Sequence, residues 1–440
     1  MGKIFLPLAS AVIIFVFALV FSSILQNSLI TYEDVVENYE TVSFSLDETN
    51  PIKIGILHSL SGTMSSSESP VVDATILAIN QINDRGGILD RKVDYVIADG
   101  KSDWQTFANE AERLIVEEEV DVIFGGWTSA SRKTMKPVFE EYNHLLFYPV
   151  QYEGLEQSKN IIYTGAAPNQ QAIPAVDWAF ENIGTNFYLV GSDYVFPRSV
   201  NEIIKFRISE LGGTVVGEKY RILGDTNFKE IVSDIQNKKP DVIINTINGD
   251  SNIAFFKELR DVGILPQNLP TISLSIGENE IQQLGSENMK GDYAVWNYFQ
   301  SIDTNRNRDF VEAFQKQFGT SRTTSDPMEA AYNGIFLYAK SVEIAGTTDL
   351  SVVREVLKGI TFSGPGGTIG IDPQNQHLLK IVRVGQILPD GQFKIISSSE
   401  DPIPPIPYPK YKSQEDWKLF LWNLYTGWDS SWSNPILQDG

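Results

Sequence analysis

The feature of this sequence that most constrains its fold is an alternation of short apolar runs and longer amphipathic segments, which begins at Ile52. Residues 52–57 form a short β-rich run, and residues 71–83 then carry apolar side chains at helical spacing. The rhythm runs to about residue 148 and restarts after Pro168, with residues 186–190 as its first strand. Strands that alternate with helices of this length predict parallel sheets covered on both faces. Two successive runs predict an α/β protein with two doubly wound lobes.

The first 50 residues predict where the protein is located. Residues 4–25 are an almost unbroken apolar run. One charged residue, Lys3, precedes it, and all the charged residues that follow it up to residue 50 are acidic. A helix over this run would span about 33 Å, enough to cross a bilayer. The charge asymmetry then predicts a cytoplasmic segment (1–3), a transmembrane anchor (4–25) and an acidic tether (26–50) on the external face. A cleavable secretory signal is the alternative interpretation, and it would export the same domain. We therefore expect a single-pass cell-membrane protein with an external binding domain.

Composition excludes several classes of function. The chain has no cysteine, which removes disulfides, thiolate nucleophiles and lipidation at a cysteine. Its histidines, His58, His144 and His377, lack the paired spacing of zinc motifs. A formal net charge of −21 disfavours nucleic acid, which requires a basic surface. We expect no metal, no cofactor, no catalytic residues and no nucleic-acid partner.

Polar segments at the predicted strand ends indicate a ligand site. In open α/β sheets ligands bind at the carboxyl ends of the strands. This rule selects residues 58–64, 125–131, 148–153, 192–198, 245–250 and 273–280. We call these segments the strand-end loops. They are rich in hydroxyls, amides and aromatic rings and poor in basic residues, which favours a neutral ligand over a phosphate.

The same loops carry motifs that resemble those of the urea ABC-transporter substrate-binding proteins. The matches run in order from about residue 52 to 410. They are GILHSLSGTM (55–64), GGWTSASRK (125–133), FYPVQYEG (147–154), APNQQ (167–171), GSDYVFPR (191–198), NTINGDSN (245–252), YAVWNYFQS (293–301), DPMEAAY (326–332) and NQHLLK (375–380). The related short-chain amide sensors of bacteria are similar around GSDY and YEG. Ordered matches over most of the chain are stronger evidence than one short motif.

The resemblance implies a type I periplasmic-binding-protein fold, in which two Rossmann-like lobes joined by three crossovers close on a ligand. The crossovers are expected near residues 166–170, 294–298 and 362–367. Lobe one would comprise residues 52–166 with 297–362, and lobe two residues 168–294 with 366–400. Residues 401–440, rich in proline and tryptophan, would form a C-terminal strap, because its proline run cannot be a helix or a central strand.

The resemblance also implies which side chains face the cleft. The expected ligand contacts lie in the strand-end loops: Trp127, Thr128, Ser129, Tyr148 and Val150 in lobe one, and Tyr194, Asn248, Asp250 and Ser275 in lobe two. Thr128 and Ser129 are expected to hydrogen-bond the ligand, whereas Val150 would line the cleft through its backbone. Simple packing is the alternative for Trp127 and Tyr148. In the amide sensors a threonine replaces Val150, so at this position the chain follows the urea branch.

These observations predict a binding protein, not an enzyme, that captures urea outside the membrane and hands it to ABC permease subunits. Urea is small, planar and neutral, and its four N–H donors require a site rich in acceptors. A short-chain amide receptor or sensor is the alternative. A surface-anchored amidohydrolase is disfavoured, because the sequence shows neither a set of metal ligands nor a nucleophile–base pair.

Overall fold

Five parallel strands form the first sheet of the protein, whose structure is a computed structural model that describes residues 47–435. The strands are β1 (Asp47–His58), β2 (Arg91–Asp99), β3 (Val122–Gly125), β4 (Leu146–Tyr148) and β5 (Ile161–Tyr163). They are ordered β2-β1-β3-β4-β5. Helices α1 (Ser65–Asn83), α2 (Trp104–Val116) and α3 (Ser129–Glu141) connect the first four strands.

Close pairing of β1 with β3 depends on a glycine. Gly125 has a φ of +156°, and a Cβ there would lie 1.9 Å from the carbonyl oxygen of Leu57. A residue with a side chain would collide with the backbone of β1 here, so the glycines at 125 and 126 allow the chain to leave β3 in close contact with the end of β1. The residues that follow, Trp127 and Thr128, are thereby placed at the carboxyl edge of the sheet.

The second sheet has seven strands. In chain order they are β6 (Asn186–Ser192), β7 (Thr214–Arg221), β8 (Val242–Thr246), β9 (Thr271–Ser273), β10 (Tyr293–Trp296), and, after a return to the first sheet, β14 (Arg383–Ile387) and β15 (Phe393–Ser398). Their spatial order is β15-β14-β10-β9-β8-β6-β7, and the last two strands of the chain pair antiparallel. Helices α4 (Ala172–Asn182), α5 (Val195–Leu211), α6 (Lys229–Lys238), α7 (Ser251–Asp261), α8 (Glu278–Leu284) and α9 (Ser286–Met289) accompany them.

Between β10 and β14 the chain returns to the first sheet. Helices α10 (Asn305–Phe318), α11 (Asp326–Ala345) and α12 (Leu350–Leu357) lead into the small sheet of β11 (Thr361–Gly364), β12 (Gly367–Ile371) and β13 (Leu378–Leu379). Ile369, Ile371 and Leu378 belong to the hydrophobic cluster of the first sheet. We define lobe one as the first sheet with α1–α3, α10–α12 and β11–β13, and lobe two as the second sheet with α4–α9.

The last change of lobe differs from the expected position. The resemblance predicts it near residues 362–367, with residues 366–400 in lobe two. In the structure, Tyr163 N donates to Gln376 O at 3.0 Å, which ties the segment before β14 to lobe one. Lobe two therefore resumes at β14, which starts at Arg383.

The predicted fold class needs one correction. The helix placed at residues 4–25 lies outside the described residues, and no helix between residues 47 and 435 is long and apolar enough to cross a membrane. The longest described helix, α11, carries Asp326, Glu329, Lys340 and Glu343 among its 20 residues. The described fold is therefore two α/β lobes, with no membrane-spanning helix between residues 47 and 435. The end of the proposed tether, residues 47–50, belongs to β1. Location outside the cytoplasm stays a prediction.

The C-terminal strap contains a helix that its proline-rich sequence does not predict. Ile403 pairs with Lys380 in an isolated antiparallel bridge, and the extended chain then leads to α13 (Gln414–Gly427). Ser413 caps this helix by accepting a hydrogen bond from Asp416 N at 3.1 Å. Trp417 is fully buried in the same hydrophobic cluster as strands β6 and β8. The strap thus packs on lobe two.

Candidate ligand-binding site

The two lobes touch directly where their strand-end loops meet. Trp127 Nε1, after β3, donates to Asn248 Oδ1, after β8, at 3.3 Å. Gln151 Nε2, after β4, donates to the carbonyl of Leu274, after β9, at 2.8 Å. These two hydrogen bonds hold the lobes in contact across the cleft.

Eight of the nine predicted ligand residues are buried. None of the eight is more than 4% exposed. They are Trp127, Thr128, Ser129, Tyr148, Val150, Tyr194, Asn248 and Ser275. Asp250, in contrast, is exposed, and its Oδ1 accepts a hydrogen bond from Ser66 Oγ of α1 at 2.9 Å. Asp250 therefore lies at the rim, where it joins the lobes, and the ligand contacts of all nine stay predictions.

Thr128 and Ser129 begin helix α3. Thr128 is the N-cap, and its Oγ1 accepts from Ser131 N at 3.1 Å and donates to Ser131 Oγ at 3.1 Å. Ser129 Oγ donates to a carboxylate oxygen of Glu153 and accepts from Arg132 at 3.1 Å. Both hydroxyls thus already make hydrogen bonds within the protein, and a ligand that bonds to either must share the hydroxyl with those partners.

A buried cluster of four charges lies behind Ser129. Arg132 is 3.1 Å from Glu153 and 2.9 Å from Glu156, and Lys133 is 2.9 Å from Glu156 and 3.3 Å from Glu153. Burial by itself would raise the pKa of Glu156, but the ammonium of Lys133 and the guanidinium of Arg132 outweigh it and hold that pKa below its ordinary value. Two cations therefore balance two carboxylates. We call these four side chains the charge cluster.

The aromatic residues of lobe one pack on this cluster. The guanidinium of Arg132 lies 4.7 Å from the ring centre of Tyr148 and 4.4 Å from that of Tyr152. Tyr148 donates its hydroxyl proton to the carbonyl oxygen of Trp127. Burial raises the pKa of Tyr148, so its hydroxyl stays a neutral donor. Tyr148 thus supports Arg132 and Trp127.

In lobe two the predicted residues hold the ends of β6, β8 and β9 together. Asn248 N donates to Ser192 Oγ at 3.1 Å, and Ser275 Oγ donates to the carbonyl of Ile247. Tyr194 is the N-cap residue of α5, and its ring lies 6.4 Å from that of Trp104 in lobe one. Tyr194 therefore stands at the junction of the two lobes.

Three polar atoms in the strand-end loops of lobe one are buried without a hydrogen-bond partner among the described residues. They are His58 Nε2, Thr63 Oγ1 and Gln151 Oε1, and each belongs to a strand-end loop. A buried polar atom without a partner costs about 1–3 kcal/mol, so such atoms are natural contacts for a ligand. Sequence reasoning selected their loops but not these residues.

Sequence reasoning also missed the charge cluster. Arg132 and Lys133 follow the Thr128 cap, and Glu153 and Glu156 follow β4, so the motifs that carry them were visible. Their pairing was not, because it joins residues more than 20 positions apart. Between residues 47 and 435 there is no group of three or more side chains that could hold a metal ion.

Comparison with known proteins gives a family match over most of the chain. The family profile described as "Periplasmic binding protein domain" matches residues 52–414. Leu/Ile/Val-binding protein homolog 6 of Brucella melitensis is 23% identical over 283 residues, which cover 63% of this chain and 72% of that protein.

A shorter match and a solved structure complete the comparison. Limonene hydroxylase of Geobacillus stearothermophilus is 39% identical over 124 residues, but the match spans only 28% of this chain and 23% of that protein. The solute-binding protein of an ABC transporter from Rhodopseudomonas palustris HaA2, solved with p-hydroxybenzoic acid, superposes with a TM-score of 0.74 at 22% identity. That superposition covers 81% of this chain and 98% of the solved chain, and at this identity it shows the fold.

Proposed function

Because the chain belongs to the family of periplasmic binding protein domains, we propose that it captures a small neutral solute, urea, between its lobes and delivers it to an ABC permease. The family and the fold support a solute-binding protein of the ABC-transporter type. The Brucella melitensis relative is named for leucine, isoleucine and valine, and the Rhodopseudomonas palustris protein was solved with an aromatic acid; all of those ligands carry a carboxylate.

The observation that carries the proposal is that the cations near the cleft are already paired. Arg132 and Lys133 are balanced by the two glutamates of the charge cluster, and Arg198 Nε is 2.7 Å from Asp193 Oδ1. These are the lysines and arginines within or next to the strand-end loops. A buried carboxylate ligand would need a charge or several donors of its own, and burying it without them is costly. A neutral ligand avoids this cost.

The hydrogen-bonding groups of lobe one suit the atoms of urea. Gln151 Oε1 is an uncommitted acceptor, and Thr63 Oγ1 can accept and donate. Glu153 adds carboxylate oxygens beside the hydroxyl of Ser129. Urea presents four N–H donors and one carbonyl, so a site with more acceptors than donors matches it. Acetamide has only two N–H donors and would leave acceptors unpaired, which lowers its affinity.

The direct contacts between the lobes favour a small ligand. The Trp127–Asn248 and Gln151–Leu274 hydrogen bonds close at 3.3 and 2.8 Å, so a bulky ligand would have to break them. Urea has four heavy atoms, which limits its binding free energy to about −6 kcal/mol and its Kd to tens of micromolar, in order of magnitude.

Calorimetry on the purified chain tests the proposal. Urea, acetamide, leucine and 4-hydroxybenzoate are titrated in turn, and the expected order is urea first, acetamide weaker, and no heat from the two acids. Ser129→Ala should weaken urea binding about tenfold, since a hydrogen bond beside a charged group contributes about 1.5 kcal/mol or more. Ser398→Ala, on an exposed part of β15, is the matched control.

The outcomes separate the alternatives. Preference for acetamide would assign the chain to the amide receptors, and binding of a carboxylate alone would refute the argument from paired cations. An assay for ammonia release in the same samples should stay at background, because binding without hydrolysis is proposed.

A further inference from the structure

The last described residues of the chain cap helix α5 at the cleft. Helix α5 starts at Val195, and its N-cap residue Tyr194 supplies no side-chain hydrogen bond to the first turn. Val195 N donates instead to the carbonyl oxygen of Trp432 at 2.9 Å, and Ser433 pairs with Tyr194 in an antiparallel backbone bridge. The exposed amides of a helix start need acceptors. Residues 431–435, which we call the tail, supply one from outside the lobe.

The tail also contacts lobe one. Trp104, the first residue of α2, donates its indole Nε1–H to Ser433 Oγ at 3.0 Å. The ammonium of Lys133 lies 5.2 Å from the ring centre of Trp432, within the range of a cation–π contact. The Trp104 ring is also the lobe-one neighbour of Tyr194. The tail is thus bonded to both lobes at the position of Tyr194.

A second pair of bonds anchors the tail to lobe two. Asn434 N donates to Asp193 O at 3.0 Å, and Asn434 Nδ2 donates to Asp193 Oδ2 at 2.7 Å. Three hydrogen bonds with residues 193 and 195 therefore stand against the indole bond and one cation–π contact on lobe one. When the lobes separate, the weaker side is expected to break, and the tail stays with lobe two.

We propose that the tail is a latch: Trp104 and Ser433 position Tyr194 at the cleft and slow the release of the bound ligand. The inference rests on the proposed capture of a ligand between the lobes. Contacts that exist only in the closed form stabilise it relative to the open form. Such contacts slow the dissociation of the ligand more than they change its association rate, because differences in affinity among related complexes lie mostly in the dissociation rate.

Stopped-flow tryptophan fluorescence with urea on the full chain tests the latch. Trp104→Phe keeps a ring beside Tyr194 and removes only the N–H donor, and a second variant ends the chain at residue 430. We expect the dissociation rate of urea to rise about threefold to tenfold in Trp104→Phe, the effect of one neutral hydrogen bond, with little change in the association rate. The shortened chain should show an equal or larger rise.

Trp422→Phe is the matched control, because Trp422 is exposed on α13 and lies outside the tail. Its rates should equal those of the wild-type chain. Unchanged dissociation in both Trp104→Phe and the shortened chain would overturn the latch, as would an equal effect of Trp422→Phe.

A ligand-free measurement separates this inference from the proposed function. Amide hydrogen exchange of Val195 should accelerate in the shortened chain, because its acceptor, the Trp432 carbonyl, is removed. If wild type does not bind urea, the function fails, and the exchange result alone then decides whether the tail holds the start of α5. Unchanged exchange would refute the inference whatever the ligand.

Discussion

Replacement of Glu153 by glutamine is the perturbation that tests the charge cluster most directly. Glu153 is fully buried and accepts hydrogen bonds from Ser129 and from Arg132, the latter at 3.1 Å, with Lys133 Nζ at 3.3 Å. Glutamine preserves the shape and one acceptor oxygen but removes the charge. The cluster then holds two cations and only one carboxylate, Glu156, in a buried place.

The expected loss of stability follows from that imbalance. Removing one partner of a buried ion pair costs about 3–5 kcal/mol, because the other charge stays buried without compensation. Since the amide oxygen of glutamine still accepts one hydrogen bond, we expect the lower end, about 3 kcal/mol. At about 2 °C per kcal/mol for a large domain, Tm should fall by about 6 °C.

The assay is differential scanning calorimetry, supported by unfolding in guanidinium chloride, because urea is the proposed ligand and unsuitable as a denaturant. The control is Glu287→Gln, whose side chain is 72% exposed and pairs with Lys290 on the surface. It should change the free energy of unfolding by less than about 0.5 kcal/mol. A loss of less than about 1 kcal/mol in Glu153→Gln would refute the reasoning.

A companion variant tests the cause. Glu153→Gln combined with Lys133→Met restores a neutral cluster, because one cation and one carboxylate remain. The double variant should be more stable than Glu153→Gln alone, a coupling of the kind that double-mutant cycles measure between contacting residues. If the two losses simply added, charge balance would not be the reason for the effect.

Two further predictions concern pH and the cleft. Burial raises the pKa of Glu278 to about 8, against 4.5 unperturbed. Between these two pH values the folded protein keeps a proton on Glu278 that the unfolded chain has lost, so the contribution of Glu278 to stability falls as pH rises from about 4.5 to about 8. Glu278→Gln should therefore flatten the dependence of Tm on pH between about 6 and 8, and parallel curves would contradict this. A Cβ at Gly165 would lie 2.0 Å from the carbonyl of Val150, so Gly165→Ala should displace that loop and weaken urea binding about tenfold by calorimetry. Gly427→Ala, with open space around its Cβ, should bind like wild type.

Local patterns predicted the elements of the fold well where one face of the chain is buried. The run at 52–57 lies in β1, and its Ile52, Ile54 and Ile56 are fully buried. The segments that differ are those whose neighbours come from far along the chain. The sequence pattern could not show to which lobe residues 361–379 belong, because the hydrogen bond from Tyr163 N to Gln376 O, which attaches them to lobe one, joins distant parts of the chain. Helix α13 was not predicted, because the proline run that precedes it favoured an extended strap.

The candidate site shows the same division. The resemblance of the motif at 125–133 marked Thr128 and Ser129, and the glycine pair at 125–126 supported Ser129. Glu153, the partner of the Ser129 hydroxyl, was not marked, because it lies after a different strand.

The sequence by itself determined the alternation of strands and helices, the position of the strand-end loops and their shortage of basic residues, because these depend on neighbours within a few turns of chain. Only the tertiary structure decided that Arg132 and Lys133 face Glu153 and Glu156, that Trp127 meets Asn248, and that the tail bonds to Tyr194. Each of these pairs joins loops or helix starts that are distant in sequence. Spacing fixes the face on which a side chain lies, but which two faces meet depends on the packing of whole sheets and helices.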